Sequence, residues 1–152
     1  MHNSDLITSK KLLKEGKVII FPTETVFGLG GNANNSNAIN KIYKLKKRPK
    51  NNPLICHFKN ISQIKKNFYM NNLEEKIAKL YWPGPLTIIL QKKKNSKISS
   101  KLSNNSTYVG CRIPSNKIAI KLLRNIDFPI AAPSANLSNK VSVTRYSDID
   151  KN

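Results

Sequence analysis

The sequence predicts an α/β fold of the α+β kind, in which a twisted mixed sheet is flanked by helices. Short apolar runs that are typical of buried strands, at residues 18–21 and 86–90, alternate with a segment at 38–45 whose apolar residues recur at helical spacing. Strands and helices are interspersed along the chain, which favours a mixed sheet. The length of 152 residues predicts a single domain, residues 1–152.

The first elements are a helix, a strand and a connection. Ser4 or Ser9 can cap a helix that Gly16 ends. The apolar run at 18–21 then predicts a buried strand. Residues 26–31 are rich in glycine, and we expect them to connect elements rather than to pair in the sheet.

The next two elements are a helix and a strand. Ser36 can cap a helix over residues 38–45, and this helix must end before Pro49 because a residue that precedes proline avoids the helical region. The apolar residues 54–58 predict another strand.

Two short helices and a strand are predicted in the middle of the chain. Asn60 and Asn72 can each cap a helix, and residues 86–90 read as a strand. The segment 91–106 is rich in Lys, Ser and Asn, so we expect a polar, mobile loop.

The remaining elements complete the sheet. Residues 108–113 predict a strand, Ser115 can cap a helix over 118–123, and residues 130–132 predict a short buried strand.

The two cysteines and two histidines predict no metal site. Cys56 and Cys111 each lie in an apolar, strand-like segment, so both are expected to be small buried hydrophobic residues. The sequence has no Cys-x-x-Cys and no paired histidines, which are the usual signs of a metal centre.

The chain is strongly basic, with 27 Lys and Arg against 8 Asp and Glu and a net charge of +19. This charge favours an anionic partner such as nucleic acid. The excess is mostly Lys accompanied by Asn and Ile, a composition that AT-rich codons also produce, so a merely solvated basic surface remains the alternative. No apolar run reaches the length of a membrane span and no signal peptide is recognisable, which predicts a cytoplasmic protein without membrane contact.

Two segments in the first third combine residues that suit an anion. The segment PTETVFGLG at 22–30 can offer hydroxyls and backbone N–H groups to an anion or a zwitterion, although a strand end with a tight turn would look similar. At residues 46–54, Lys46 supplies a compact charge and Arg48 a planar fork for phosphate oxygens. A basic helix terminus is the alternative there.

Two later segments are of the same kind. Arg112 stands among apolar neighbours at a strand end, so it either pairs with a carboxylate or faces a ligand anion. Ser134 and Asn136 follow a strand of small residues and can point to the same side if the backbone is extended. An ordinary polar turn is the alternative.

Together these segments resemble the YrdC family, the threonylcarbamoyl-adenylate synthases, from about residue 16 to 144. The matching motifs occur in one order along the chain: PTETVFGLG, KxRP followed by PL, WPGPLT, VGCRIP and APSAN, which ends at Asn136. The resemblance implies a YrdC-like sheet with a concave, positively charged active-site groove.

The resemblance also implies an activity. Family members join L-threonine, bicarbonate or CO2, and ATP into L-threonylcarbamoyladenylate and pyrophosphate, which makes them nucleotidyltransferases. The ATP is a substrate that normally comes with Mg2+, and no permanent cofactor is expected. Partner proteins then transfer the threonylcarbamoyl group to position 37 of tRNAs that read ANN codons. A non-catalytic module of the same fold that binds double-stranded RNA or tRNA is the alternative.

Roles for individual residues follow from the same resemblance. The catalytic set is Lys46, Arg48, Ser134 and Asn136. The nucleotide-binding residues are these four with Arg112, Ser142 and Thr144, and the threonine-binding residues are Thr23, Thr25, Phe27 and His57.

The chain departs from the family pattern at several positions. Phe27 replaces the usual Tyr, Ser115 and Asn116 stand where relatives often carry a His, and Val143 stands where Pro is common. Residues 147–150 read like the start of a helix, but the sequence ends at residue 152. The family's last helix and strand are therefore expected to be missing from this sequence.

Overall fold

The computed structural model describes residues 3–137, 141–145 and 147. Five α-helices, six strands and one 3-10 helix follow one another in the described part of the chain. In chain order they are α1 (Asn3–Lys14), β1 (Ile19–Pro22), β2 (Phe27–Asn32), α2 (Ser36–Leu45), β3 (Ile55–His57), α3 (Ile61–Asn67), α4 (Asn72–Tyr81), β4 (Ile88–Gln91), the 3-10 helix (Ser100–Ser103), β5 (Tyr108–Arg112), α5 (Lys117–Arg124) and β6 (Ile130–Ala132).

The six strands form one mixed sheet in the order β1-β2-β6-β3-β5-β4. Strands β3 and β5 run parallel, with Cys56 opposite Cys111, and the other neighbouring strands are antiparallel. The short strand β6 lies between β2 and β3, so it joins the N-terminal hairpin to the rest of the sheet. The predicted mixed α/β sheet is therefore confirmed.

Helices cover both faces of the sheet because successive strand residues point to opposite sides. On β6, Ile130 and Ala132 pack in a cluster with side chains of α1 and α5, whereas Ala131 between them packs in a second cluster with side chains of α2, α3 and α4. The apolar residues of each helix are thereby removed from water on one face of a shared sheet.

The glycine-rich segment that the sequence assigned to a connection is strand β2, so that prediction was wrong. It pairs with β1 in a hairpin whose loop spans residues 23–26. A Cβ on Gly30 would lie 2.7 Å from atoms of both Phe21 and Ile130, closer than side-chain packing allows. Gly30 therefore allows β2 to pack closely against its neighbours, and it does not form a turn here.

Several predicted helix N-caps differ from the observed ones, three of them by one position along the chain. Ser4 and Ser9 lie within α1, which begins at Asn3. The cap of α3 is Asn60, as predicted. At three other helices the cap is an adjacent asparagine: Asn35 in place of Ser36, Asn71 in place of Asn72 and Asn116 in place of Ser115. An asparagine side chain accepts from the first free N–H groups at least as well as serine, and here it lies at the turn itself.

The polar segment 91–106 is packed, contrary to the expectation of a mobile loop. It contains the 3-10 helix, and Ile98 and Leu102 are buried in the cluster beneath α2. The backbone N–H of Leu54 donates to the carbonyl of Leu102 at 3.0 Å, which ties the segment to the start of β3. Two apolar residues among many polar ones thus anchor the segment.

Both cysteines are buried and free, and burial raises the pKa of each thiol, as expected for inert core residues. Within the described ranges no helix is long and apolar enough to cross a membrane. The helix start suggested by residues 148–150 lies outside the described residues.

Candidate active site

A cavity of about 450 Å³ opens beside the β1–β2 loop and the ends of β3, β5 and β6. It combines residues from four of the segments singled out in the sequence. Its lining consists of Thr23, Thr25, Val26, Gly28, Arg48, Asn52, Pro53, Ile55, His57, Arg112, Ala132, Pro133 and Ser134.

Strand alternation explains why these residues meet. Ile55 and His57 line the cavity, whereas Cys56 between them is buried in the opposite cluster. Helices α1 and α5 contact β1 on the cavity side of the sheet. The cavity therefore occupies the part of this face that lies beyond those two helices.

The loop between β1 and β2 presents two threonine hydroxyls. The hydroxyl of Thr23 donates to the carbonyl of Val26 at 2.6 Å and lies 3.0 Å from the hydroxyl of Thr25. It also accepts the backbone N–H groups of Thr25 and Val26, each at 3.2 Å. The loop thus holds both hydroxyls at the cavity in a fixed arrangement.

Arg112 pairs with a carboxylate, which decides between the two readings that the sequence left open. Its Nε and Nη2 donate to Oε1 of Glu24 at 3.0 and 2.5 Å, and its Nη2 also lies 3.3 Å from the hydroxyl of Thr25. The two side chains are only 9% and 16% exposed, so this pair is largely shielded from water.

Glu24 connects three elements through its two carboxylate oxygens. Oε1 holds Arg112, while Oε2 accepts the backbone N–H groups of Ser115 and Asn116 at 3.0 and 3.4 Å. Burial by itself would raise the pKa of the Glu24 carboxyl, but the Arg112 guanidinium and the hydrogen bonds outweigh it and hold that pKa below its ordinary value. Glu24 therefore stays ionised and fixes the loop against β5 and the start of α5.

Arg48 is fixed by its own segment. Its Nε and Nη2 donate to the carbonyl and side-chain oxygens of Asn52 at 3.0 and 2.6 Å, and Nη2 donates also to the carbonyl of Pro53 at 3.0 Å. Among the described residues no carboxylate pairs with Arg48. Its guanidinium therefore brings an uncompensated, oriented positive charge to the cavity.

Lys46 lies behind the cavity rather than in its lining. Its side chain is buried, at 2% exposure, and its ammonium donates to the backbone carbonyls of Ser134 and Asn136. Burial, with a smaller contribution from the charge of Arg48, lowers the pKa of Lys46 to about 8. Lys46 thus ties the end of α2 to the segment that follows β6 and holds Ser134 at the cavity.

His57 is a buried, neutral imidazole on the cavity wall. It is 4% exposed, and its ring stands edge-to-face with Phe21 at a centroid distance of 5.8 Å. Burial, followed by the charge of Arg112, lowers the pKa of His57 to about 4. Its Nδ1 is buried and has no side-chain or backbone partner within ordinary hydrogen-bond geometry among the described residues.

The structure does not bring every predicted site residue to the cavity. Phe27 is absent from the lining although its neighbours Val26 and Gly28 are present. Its backbone instead receives a hydrogen bond from Ala135 and donates one to Val143, at 2.7 and 2.9 Å.

Of the nucleotide-binding residues assigned from the resemblance, Asn136, Ser142 and Thr144 lie outside the lining, as Lys46 does. Ser142 and Thr144 are exposed, on either side of the buried Val143. The amide nitrogen of Asn136 donates to the carbonyl of Leu137 at 2.8 Å.

Sequence reasoning missed Glu24 and Asn52. Asn52 holds Arg48, and Glu24 holds Arg112. The presence of a lone arginine in an apolar strand signalled either a carboxylate partner or a ligand anion, and the structure shows the carboxylate. That signal could not identify Glu24, because that partner lies 88 positions away in the chain.

The described residues contain no group of three or more His, Cys, Asp or Glu side chains that could hold a metal ion. Glu24 contacts the cavity-lining Arg112, and both of its carboxylate oxygens are engaged with N–H donors. A divalent cation that enters with a phosphate ligand would depend on the phosphate oxygens for its coordination.

A mixed sheet flanked by helices, with a cavity lined by two guanidinium groups, three hydroxyls and a neutral imidazole, defines an α/β domain with a polar cavity on one face of its sheet. The family model Sua5_yciO_yrdC, described as "Telomere recombination", matches residues 11–152. The chain belongs to this Sua5/YciO/YrdC family.

Proteins of known name are similar to the chain over most of its length. A threonylcarbamoyl-AMP synthase of Bacillus subtilis is 45% identical over 137 residues, which are 88% of this chain and 39% of the relative. A structure of a Sua5 variant from Pyrococcus abyssi superposes with a TM-score of 0.93 at 37% identity and covers 98% of this chain and 45% of that one.

The Pyrococcus abyssi Sua5 protein has also been solved with L-threonine. That structure superposes with a TM-score of 0.88 at 36% identity, over 99% of this chain and 46% of that one. The chain therefore spans less than half of the length of these relatives, and its similarity to them concerns one part of each.

Proposed function

We propose that the protein is an L-threonylcarbamoyladenylate synthase, a nucleotidyltransferase that joins L-threonine, bicarbonate or CO2, and ATP. The observation that carries the proposal is the cavity itself, where Thr23, Thr25, Arg48, Arg112 and Ser134 converge. The names of the relatives and the complex of Sua5 with L-threonine support it.

The threonine substrate binds between the β1–β2 loop and the wall that carries His57. The fixed hydroxyls of Thr23 and Thr25 supply hydrogen-bonding groups of the kind that an amino acid with a hydroxyl requires, and the His57 ring forms part of the wall. Because the His57 imidazole is neutral, it does not repel the ammonium group of a threonine bound beside it.

The nucleotide binds across Arg48, Arg112 and Ser134. The oriented Arg48 guanidinium stabilises negative charge on the phosphates, and Lys46 holds Ser134 in position from behind. Asn136 is fixed in the same segment, since its carbonyl also accepts from Lys46. Ser142 and Thr144 contact the nucleotide at the outer edge of the cavity. Phe27 holds the segment that carries them, because its backbone N–H donates to the carbonyl of Val143.

The reaction requires positioning and fixed charge more than a general base. The neutral amine of threonine adds to CO2 and loses a proton, and an oxygen of the resulting carbamate attacks the α-phosphorus of ATP. The bond between the α-phosphorus and the bridging oxygen breaks, and pyrophosphate leaves. Negative charge builds on both sides of this displacement, where Arg48 provides compensation. Mg2+ accompanying ATP would be coordinated mainly by the phosphate oxygens, since the described residues supply no cluster of carboxylates for it.

The product is passed to proteins that transfer the threonylcarbamoyl group to tRNA, and the protein acts in the cytoplasm. Relatives named threonylcarbamoyl-AMP synthase support the transfer of the product to such proteins. Weak binding of RNA is compatible with the net charge of +19.

The test is release of pyrophosphate from ATP in the presence of bicarbonate, with and without L-threonine. We expect release that depends on L-threonine, and a mass-spectrometric signal for threonylcarbamoyl-AMP. L-valine is the matched control, since it has the same shape but lacks the hydroxyl. Release that does not depend on threonine, or the absence of any release, would contradict the proposal and favour a binding module without catalysis.

A further inference from the structure

Arg48 lies between two concavities, and only one of them is the cavity of the proposed reaction. On its other side is a basic cleft of about 640 Å³, whose cationic lining residues are Lys44, Lys47, Arg48, Lys50 and Lys101. Of the described residues, Arg48 alone lines both, so the two concavities are adjacent but separate. The direction of its guanidinium therefore decides which of them receives the charge.

Two residues that line the cavity but not the basic cleft hold this guanidinium. Nε of Arg48 donates to the backbone carbonyl of Asn52 at 3.0 Å. Nη2 donates to the side-chain oxygen of Asn52 at 2.6 Å and to the carbonyl of Pro53 at 3.0 Å. Three of the five N–H groups are thus engaged, and those of Nη1 have no partner among the described residues. The contacts draw the guanidinium toward the cavity and leave Nη1 for a ligand.

The acceptor groups of Asn52 are themselves fixed. The buried Tyr43 donates its hydroxyl toward the carbonyls of Asn52 and Leu102, at 3.2 and 3.3 Å. The backbone N–H of Asn52 donates to the carbonyl of Pro49 at 3.0 Å. The support of the Arg48 guanidinium is therefore formed before any ligand binds, as an active site that acts by positioning requires.

The two arginines of the cavity are held by the same pair of nitrogens but by different acceptors. Nε and Nη2 of Arg112 both donate to a carboxylate oxygen of Glu24. The same two atoms of Arg48 donate to the carbonyl and amide oxygens of Asn52. The amide must present its oxygen here, because its NH2 group would place donors against donors. Both guanidinium groups are thus fixed, but only that of Arg112 is neutralised.

The neutral acceptor is the weaker of the two supports. A carboxylate at position 52 would form charge-assisted hydrogen bonds, which are stronger than those of an amide. The sequence has no Asp or Glu between Glu24 and Glu74, so no carboxylate lies in the segment that carries Arg48. The amide of Asn52 thus gives a weaker contact but leaves the positive charge available to an anion.

We propose that Asn52 is a positioning residue, which directs the Arg48 guanidinium into the cavity without neutralising it. The inference rests on the proposed function, in which the charge of Arg48 acts on the phosphates of ATP. It implies that the neutrality of the side chain at position 52 matters as much as its hydrogen bond. A carboxylate of the same shape therefore cannot replace the amide.

The experiment compares Asn52→Asp, which keeps the acceptor oxygen and adds a negative charge, with Asn52→Ala, which removes the acceptor. The matched control is Asn51→Asp, which adds the same charge one position away on an exposed side chain that does not line the cavity. Calorimetry measures binding of ATP, and threonine-dependent release of pyrophosphate gives kcat and KM for ATP. Urea unfolding measures the stability of each variant.

We expect Asn52→Asp to weaken ATP binding and to raise KM for ATP at least about tenfold, because an ion pair cancels the charge of Arg48. Its stability should be equal to that of the unmodified protein or higher. Asn52→Ala should lower kcat about threefold or more and change KM by less than about twofold, because the charge remains but is less well placed. Asn51→Asp should change ATP binding less than about twofold, since its added charge is exposed.

The proposal is overturned if Asn52→Asp binds ATP as tightly as the unmodified protein, or if Asn51→Asp weakens binding equally, which would assign the effect to net charge. It is also overturned if the losses of activity are matched by losses of stability, as a purely structural role of Asn52 predicts. Calorimetry does not require turnover. Binding of ATP that depends on Asn52, without threonine-dependent release of pyrophosphate, would contradict the proposed function and support this inference.

Discussion

The cavity and the basic cleft meet at Arg48 but handle positive charge in opposite ways. At the cavity, Arg112 is paired with Glu24, and behind the cavity Lys46 is buried against two backbone carbonyls, so both of these charges have a fixed place. In the basic cleft, the lysines are held apart from any carboxylate within the described residues and extend into solvent. The charges at the cavity therefore have their effect as individual groups at fixed positions, whereas those of the basic cleft have theirs through their combined electrostatic field.

The sharpest test of this contrast is to break the pair between Glu24 and Arg112. Replacing either residue by Ala leaves a shielded charge without its partner, so we expect each variant to lower the free energy of unfolding by about 2 kcal/mol. Urea unfolding of the two single variants and the double variant measures the coupling between them. The exposed pair between Glu15 and Lys17 is the control, and Glu15→Ala should cost less than about 0.5 kcal/mol.

An additive result, in which the double variant loses the sum of the single losses, would contradict a direct interaction at this site. We also expect Glu24→Ala to raise KM for threonine, because Glu24 fixes the loop that carries Thr23 and Thr25.

The second prediction concerns catalysis. Lys46→Ala and Arg48→Ala should each reduce pyrophosphate release at least about tenfold, equivalent to about 1.4 kcal/mol of transition-state stabilisation. Lys46→Ala removes the support of Ser134, and Arg48→Ala removes the uncompensated charge of the cavity. Lys50→Ala lies in the same segment but lines only the basic cleft, so its rate should match that of the unmodified protein. Unchanged rates in both variants would remove these residues from the mechanism.

The third prediction uses the pKa of Lys46. Since burial lowers that pKa to about 8, the rate should fall as pH rises through about 8 if the ammonium is needed to hold Ser134. Stability should respond in the opposite direction. Between about pH 8 and 10.5 the unfolded chain retains the proton that the folded protein has lost, so the contribution of Lys46 makes the free energy of unfolding rise with pH.

Lys46→Arg is the control for this titration, because its guanidinium stays protonated throughout this range. If Lys46→Arg is active and shows the same fall in rate near pH 8, another group is responsible for the titration.

The fourth and smaller effect is expected at His57. Its folded-state pKa of about 4 lies below the ordinary 6.5, so between these values the unfolded chain binds more protons. Its stabilising contribution is complete above about pH 6.5 and is lost as the pH falls toward 4. His57→Phe keeps an aromatic ring beside Phe21 and should remove this part of the pH dependence in thermal melts. An identical acid profile in the variant would assign the loss to other groups.

The smallest effect is expected in the basic cleft. Lys44→Ala/Lys101→Ala should change the free energy of unfolding by less than about 0.5 kcal/mol, because neither side chain is paired or buried. A large loss would show that the basic cleft, like the cavity, relies on its cations for stability and would abolish the contrast between the two regions.

The sequence predicted most of the fold because its elements carry local signals. The apolar runs of β1, β3, β5 and β6 and the periodicity of α2 are of this kind. Strand β2 was missed because its glycines, which locally suggest a turn, are required by the close approach of Phe21 and Ile130. That requirement exists only once the sheet has formed.

The site was predictable to a similar extent. The ordered motifs contain Arg48, Arg112, Ser134 and the threonine loop, and the resemblance added His57; all of these line the cavity. The partner of Arg112 could not be found, because a pairing across many positions depends on the fold. The resemblance placed Lys46 beside the substrate, whereas its contacts with backbone carbonyls put it behind Ser134.

The contacts that hold the two sides of the cavity have a kinetic consequence. Glu24 and Arg112 are separated by 88 positions in the chain, and so are Lys46 and Ser134. Closing such long loops costs conformational entropy, and the chain loses this entropy before either contact contributes favourable free energy. Strand β6 is the last of the six described strands to be synthesised. The helices and the β1–β2 hairpin can form early, but the cavity can only be completed after β6 has joined the sheet. Because β6 lies between β2 and β3, a nascent chain completes its sheet and its cavity in the same step.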